Sequence, residues 1–418
     1  MQPVYPRSLI RHCFLLMALL ILAACQSETA APPAASESGG DSASAAPTAD
    51  SSGAVPPAPP TPTAAPPPVV VVTEAASEPS PPEAPPTEAA QPVFTPTAAG
   101  VIGPDNFPDN VNPLTGETVS DPAVLARRPL AIKISNAPAI VRPQSGLNNA
   151  DLIIEHYAEG GLTRFTAVFY GKDADPIGSI RSGRLIDLEI PKMYDAAFAY
   201  SGSSGPVRQM LRNSPFFERI ISPDFGHGGF FRIQDPNKAF EHTLFTSTYN
   251  LRAILDERGL NTPPNLQSHM AFSETPLIPG DPASKLEIRY DAINATWVYN
   301  PGIDRYTRWT DGEPHLDANT GAQLSFKNVV VIAAHHQDTD ILEDHVAGGH
   351  YSIQIQIWGE GPVSVFRNGQ RIDGRWRRAD PNDMLTFYDL GGNILPLAPG
   401  NTFFQLVPLG FDRLIVTP

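Results

Sequence analysis

The chain has 418 residues, 41% of them hydrophobic and 17% charged, with 46 prolines, two cysteines and a formal net charge of −15. That length suffices for more than one domain with its own core. Two cysteines exclude a disulfide framework, and an acidic chain without a basic stripe excludes a nucleic-acid partner.

Residues 1–25 place Arg7 and Arg11 ahead of an apolar run, Phe14 to Ala24, with no acidic residue. The run is shorter than the ~20 residues a bilayer needs, so it reads as a secretion signal. Leu22-Ala23-Ala24-Cys25 matches a bacterial lipobox, where the cysteine thiol takes a diacylglyceryl group. Two or more acyl chains, such as palmitate, at ~0.8 kcal/mol per buried CH₂ make a stable membrane anchor. Cys13 leaves with the signal, so no zinc-thiolate site or cysteine nucleophile is expected.

Residues 26–100 are rich in Pro, Ala, Ser and Thr, with about eight acidic residues and no Lys or Arg. Such a composition buries too little apolar surface to order itself and predicts a disordered tether. Its reach runs from ~50 Å as a coil to ~230 Å fully extended.

The run TPLIPGDP at Thr275–Pro282 divides the remainder into a domain over 101–280 and a second over 281–418. In the first, Asn112-Pro113-Leu114-Thr115-Gly116 reads as a turn, and Leu130, Ile132 and Ile134 alternate as a half-buried strand. Asp151 to Tyr170 reads as a hairpin around a two-residue Gly160-Gly161 turn, pairing Glu155 with Thr166 and Tyr157 with Arg164. That register gathers Asp151, Glu155, Glu159 and Arg164 on one polar face, with Arg164 diagonally between the two glutamates.

Ser182 is a candidate cap for a short helix over Leu185–Leu188, where free amides beside Arg181 and Arg184 offer an anion site. The arginines are equally able to pair with the Glu155/Glu159 face. Helices are expected over Pro206–Asn213 and over Tyr249–Arg258, the latter stopped by Gly259. His242 is the candidate acid/base histidine because imidazole titrates near neutrality.

The second domain reads as mostly β. Val329–Ile332 suits a buried strand, Tyr351, Ile353, Ile355 and Ile357 alternate, and Asn368-Gly369 signals a hairpin. His335-His336-Gln337-Asp338-Thr339-Asp340 matches no HExxH or calcium-loop spacing and reads as a polar connection, so neither metal nor cofactor is expected. The fold class is α+β: a mixed α/β-containing domain followed by a mostly β, sandwich or barrel-like one, after the tether.

NPLTG at Asn112, RPQSGL at Arg142, ADLIIE at Ala150, EGGLTRF at Glu159, IRSGR at Ile180 and WGEGPVSVFRNGQRIDGRW at Trp358 together resemble the YerB-like lipoproteins. The resemblance spans about residues 105–415, and that family has no known function. It implies a two-part extracytoplasmic module on a lipid anchor. Position by position it carries over to Arg142, Gln144, Glu155, Glu159, Thr163, Arg164, Arg181, Ser182 and Arg184, and brings no catalytic residue with it.

Two functions fit these residues. The first is a non-catalytic envelope module that binds a wall polymer or a wall-synthesis protein through Arg142, Gln144, Asp151, Glu155, Glu159, Arg164, Arg181, Ser182 and Arg184. The second is a hydrolase or transferase on an envelope glycan or phosphorylated polymer, with Glu155, Glu159 or His242 catalytic. Four residues of strand separate the two glutamates by ~13 Å, against ~5 Å in retaining and ~6.5–9.5 Å in inverting glycosidases.

Overall fold

The computed structural model describes residues 100–345 and 348–418. The signal, Cys25 and the tether up to residue 99 lie outside the described residues. Among the described residues no helix is long and apolar enough to cross a membrane, and Gly205–Arg212 and Thr248–Glu257 are the longest. Both fall within one residue of their expected positions. Ser247 caps the second, its Oγ accepting from Asn250 N at 3.1 Å.

Strands dominate, so the fold class is α+β with mixed sheets. Strands β1 (Leu130–Ser135), β2 (Leu152–Tyr157) and β3 (Thr163–Phe169) form the middle of a twelve-stranded sheet, in the order β2-β3-β1. On the far side of β2, Thr402–Pro408 runs parallel to it, placing Phe403 beside Ile153 and Gln405 beside Glu155. Thr402–Pro408 in turn pairs with Asn328–Asp344, and the Asn368-Gly369 hairpin continues the sheet outward. Strands from both sides of the Thr275–Pro282 run therefore share one sheet.

Both faces of the central strands are covered, and all residues of β1, β2 and β3 are buried. One face meets the turn Leu185–Leu188, where Asp187 reaches Lys133. The other meets a six-stranded sheet that includes Asn294–Asn300 and Arg305–Thr310. Between them the Trp297 ring stands 4.8 Å from Phe403, and Phe403 stands 5.7 Å from Phe165. β1 is accordingly buried on both faces, where its alternation predicted one wet face: the second covering layer comes from elsewhere in the chain.

The hairpin register also differs from the expected one. Ala158 N donates to Leu162 O at 2.8 Å, enclosing a three-residue turn Glu159-Gly160-Gly161 with both glycines at positive φ. His156 lies opposite Arg164, and Glu155 opposite Phe165. One extra turn residue slips the pairing by one and turns every β3 side chain to the other face. Glu155 and Arg164 thus part company, Glu155 joining Phe165 and Arg164 joining His156. His335–Asp340 is likewise a strand and not a connection, being the outer half of Asn328–Asp344, paired with His350–Gln356.

Candidate functional site

Two polar networks occupy the two faces of the central strands. Toward the six-stranded sheet, Glu155 Oε2 accepts from Arg308 Nη2 at 2.8 Å and Gln405 Nε2 at 3.0 Å. Its Oε1 accepts from Asn136 Nδ2 at 2.9 Å and Thr163 Oγ1 at 2.7 Å. Glu155 and Arg308 are both 0% exposed, so no substrate reaches this carboxylate in the folded state. Arg308 lies 4.7 Å from the Phe403 ring centroid, and His315 follows on, held neutral because burial and then Arg308 push its pKa well down. His315 Nε2 meets Gln144 Oε1 at 2.6 Å, and Gln144 Nε2 donates to Ser135 O at 2.8 Å.

Toward the Leu185–Leu188 turn, Lys133 Nζ sits 2.7 Å from Asp187 Oδ2, 2.6 Å from His156 Nε2 and 3.1 Å from Thr166 Oγ1. Burial brings the lysine down to about 8, with Asp187 opposing the shift. His156 Nδ1 donates to Tyr157 O at 2.8 Å, which leaves Nε2 to accept from the ammonium. Asp187 Oδ2 also accepts from Arg184 N at 2.7 Å. Asp187, and not Ser182, therefore caps the turn at Leu185.

At the edge of this second network lies the arginine cluster. Arg164 Nη2 donates to Glu159 Oε1 at 2.6 Å, and Arg184 Nε donates to Glu159 Oε2 at 2.6 Å. Burial works to raise the Glu159 pKa, but the Arg184 hydrogen bond and the charges of both arginines override it and hold the carboxyl well below its usual range. Arg164 is brought down to about 9 by burial and by Arg184. Arg184 Nη1 lies 3.5 Å from Glu343 Oε2, a carboxylate supplied by the Asn328–Asp344 strand. Arg164 Nη1 also donates to Ser182 O at 3.1 Å.

Of the three guanidinium groups here, Arg164 and Arg184 are at ion-pair distance from Glu159, and Arg184 also from Glu343; the third has no carboxylate at ion-pair distance among the described residues. That cation is Arg181. Its backbone spans Lys133 O and Ser201 N at 3.0 Å each, while its buried Nε has no partner. Burial pushes its pKa down, with Glu241 the main charge offsetting it. His242 is 7% exposed with Nδ1 unpartnered, and burial followed by the Arg181 charge holds it neutral. Beside them, Gly183 N donates to Gly202 O at 2.9 Å and Asp224 accepts from Gly202 N at 3.0 Å, fixing the Ser201–Ser204 loop next to Ser182.

The expected site residues thus separate. Glu159, Arg164, Arg181, Ser182 and Arg184 come together, with His242 beside Arg181. Glu155 and Gln144 lie in the opposite network. Arg142 reaches out to Asp311 at 2.8 Å, and Asp151 stands apart at the start of β2. Sequence reasoning missed Lys133, Glu343 and Arg308. Arg308 carried a signal, since it shares inward parity with Tyr306 and Thr310; Glu343 carried none.

Residues 114–261 match the N-terminal domain, and residues 286–404 the C-terminal domain, of a protein family of unknown function, DUF3048. The "putative lipoprotein YerB" of Bacillus subtilis (strain 168) is 28% identical over 312 residues, 73% of this chain and 89% of that protein. The crystal structure of YerB from Bacillus subtilis superposes with a TM-score of 0.61 at 25% identity, covering 74% of this chain and 99% of that one. The strand-rich core, both domain matches and the agreement with YerB over nearly its whole length together make this chain a member of the YerB-like family.

Proposed function

We propose that this protein is a non-catalytic envelope module, anchored extracytoplasmically through a lipid on Cys25, that recognises an anionic wall component or a wall-synthesis protein at the Arg181 side of the arginine cluster. The observation that carries this reading is Arg181 itself. It has no carboxylate at ion-pair distance among the described residues, its buried Nε has no partner, and its charge acts on the nearby His242, whose Nδ1 is also unpartnered. A phosphate or carboxylate there would accept from the Arg181 Nε–H, a donor that is costly to leave unmade.

The hydrolase or transferase alternative cannot draw its general acid from either glutamate in this arrangement. Glu155 is sealed between two sheets, and Glu159 is held ionised between two arginines. The test is retention of the purified full chain, in detergent, on isolated wall sacculi, comparing the parent with Arg181→Ala. Retention lost in the variant supports the reading. Equal retention of both removes Arg181 from it, and release of soluble fragments moves the assignment to the hydrolase.

A further inference from the structure

A recess in the first domain is built by the turn at Asn112 and the ends of β2 and β3. It encloses ≈ 290 Å³ and is lined by Asn112, Thr115, Glu117, Thr118, Asp151 and Lys172, among others. Asn112 accepts from Gly116 N at 2.8 Å through its backbone carbonyl and from Leu114 N at 2.9 Å through Oδ1, so its amide donor is aimed at Asp151. Asp151 is 2% exposed and forms the floor. Its oxygens accept from Asn112 Nδ2 at 2.7 Å, Tyr170 N at 2.6 Å and Gly171 N at 3.1 Å.

Every one of those donors is neutral. Among the described residues no Lys, Arg or His reaches Asp151 at ion-pair distance, which is unusual for a carboxylate this buried. Burial accordingly raises its pKa to about 6, and it is ionised at neutral pH. The nearest lysine, Lys172, is drawn away to Glu117 at 3.4 Å at the mouth of the recess. Asp151, Glu117 and Lys172 together leave the recess with one net negative charge. Gly171 keeps the floor open: a Cβ there would stand 2.7 Å from Asn112 Nδ2 and 3.1 Å from Asp151 Oδ1.

We infer that this recess binds a primary ammonium group carried on a ligand about the size of one sugar ring or one amino-acid side chain. The volume lies at the small end of ligand pockets, which limits the occupant to such a size. The floor carboxylate supplies the charge, the hydroxyls of Thr115 and Thr118 supply further polar contacts, and Val119 and Val124 supply the apolar wall. An ammonium donates to a carboxylate that lacks a charged partner, the pairing with the largest gain. An amino sugar and a lysine-like side chain share this chemistry. The site stands apart from the Arg181 reading, and each survives the failure of the other.

The experiment is saturation-transfer NMR on the full chain with four probes: glucosamine, glucose, N-acetylglucosamine and Nα-acetyl-lysine amide. Binding of glucosamine or of the lysine derivative, at least about tenfold tighter than the two uncharged sugars, supports the inference, and the better of the two amines identifies the source. Two variants at the mouth sharpen it. Glu117→Gln should weaken amine binding about two- to fivefold, while Lys172→Gln, which removes a competing ammonium, should tighten it by a similar factor. Ser120→Trp, at the rim, should block the recess without touching the core. Equal binding of glucose and glucosamine, no binding of either amine, or amine binding unchanged in Ser120→Trp would each overturn the inference.

Discussion

Glu155 and Glu159 are four residues apart in one hairpin and have opposite surroundings. Glu155 is on a strand, so its neighbours are fixed by the sheet: Arg308 and Gln405, from more than 150 and 240 residues downstream, close over it. Glu159 is on the turn, where the chain leaves the sheet, and its partners Arg164 and Arg184 come from nearby sequence. The first carboxylate serves the joint between two layers. The second orders arginines beside a half-open patch, and this is why the recognition reading rests on the turn and not on the strand.

The sharpest way to break this comparison is to remove the strand partner. Arg308→Leu leaves Glu155 charged and unpaired between two sheets and should cost about 3–5 kcal/mol, read by urea unfolding, with Glu155→Gln/Arg308→Leu recovering much of it. A loss below about 1 kcal/mol would mean that water reaches Glu155, and the contrast with the turn would collapse. Glu159→Ala should cost less, about 2–3 kcal/mol, because the arginines it leaves are at the edge.

Glu159 also predicts a pH signature. Its folded pKa lies below the unfolded value of 4.5, so its contribution is complete above about pH 4.5 and is lost as pH falls further. Unfolding measured from pH ~6 to ~3 should therefore show a shallower acid loss in Glu159→Gln than in the parent; parallel curves would contradict the arginine clamp. Smaller again is Gly160→Ala at φ +67, expected to cost about 1 kcal/mol by forcing a Cβ into the left-handed region. Arg181→Ala should be the mildest, within about 1 kcal/mol in stability while abolishing retention on sacculi, since its Nε holds nothing in the folded chain.

Much of the local structure was legible in the sequence. Helices around Pro206 and Tyr249 follow from proline at a first turn and a terminal glycine. The Asn368-Gly369 hairpin follows from two residues that accept φ +50 and +71. At Asn112–Gly116 the glycine is demanded twice, by φ +68 and by a Phe272 ring that a Cβ would strike at 2.4 Å. The Glu159–Arg164–Arg184 group was legible in part, as residues close in sequence with opposite charge. The hairpin register was not, because Gly-Gly serves a two-residue or a three-residue turn equally well, and the choice between them flips every β3 side chain.

What the sequence by itself determined is what depends on nearest neighbours: the strand and helix segments, the Asn112–Gly116 and Asn368-Gly369 turns, and the motif set that places the chain among YerB-like proteins. Only the tertiary structure decided which polar residues are sealed and which are left open. Lys133 and Glu155 alternate along their strands as solvated residues would, and Asp187 sits in a turn. They are buried because a second layer, drawn from residues 294–310 on one side and from the Leu185–Leu188 turn on the other, covers each face. Burial is a property of that covering layer, and a strand's own pattern carries no record of what will be folded over it.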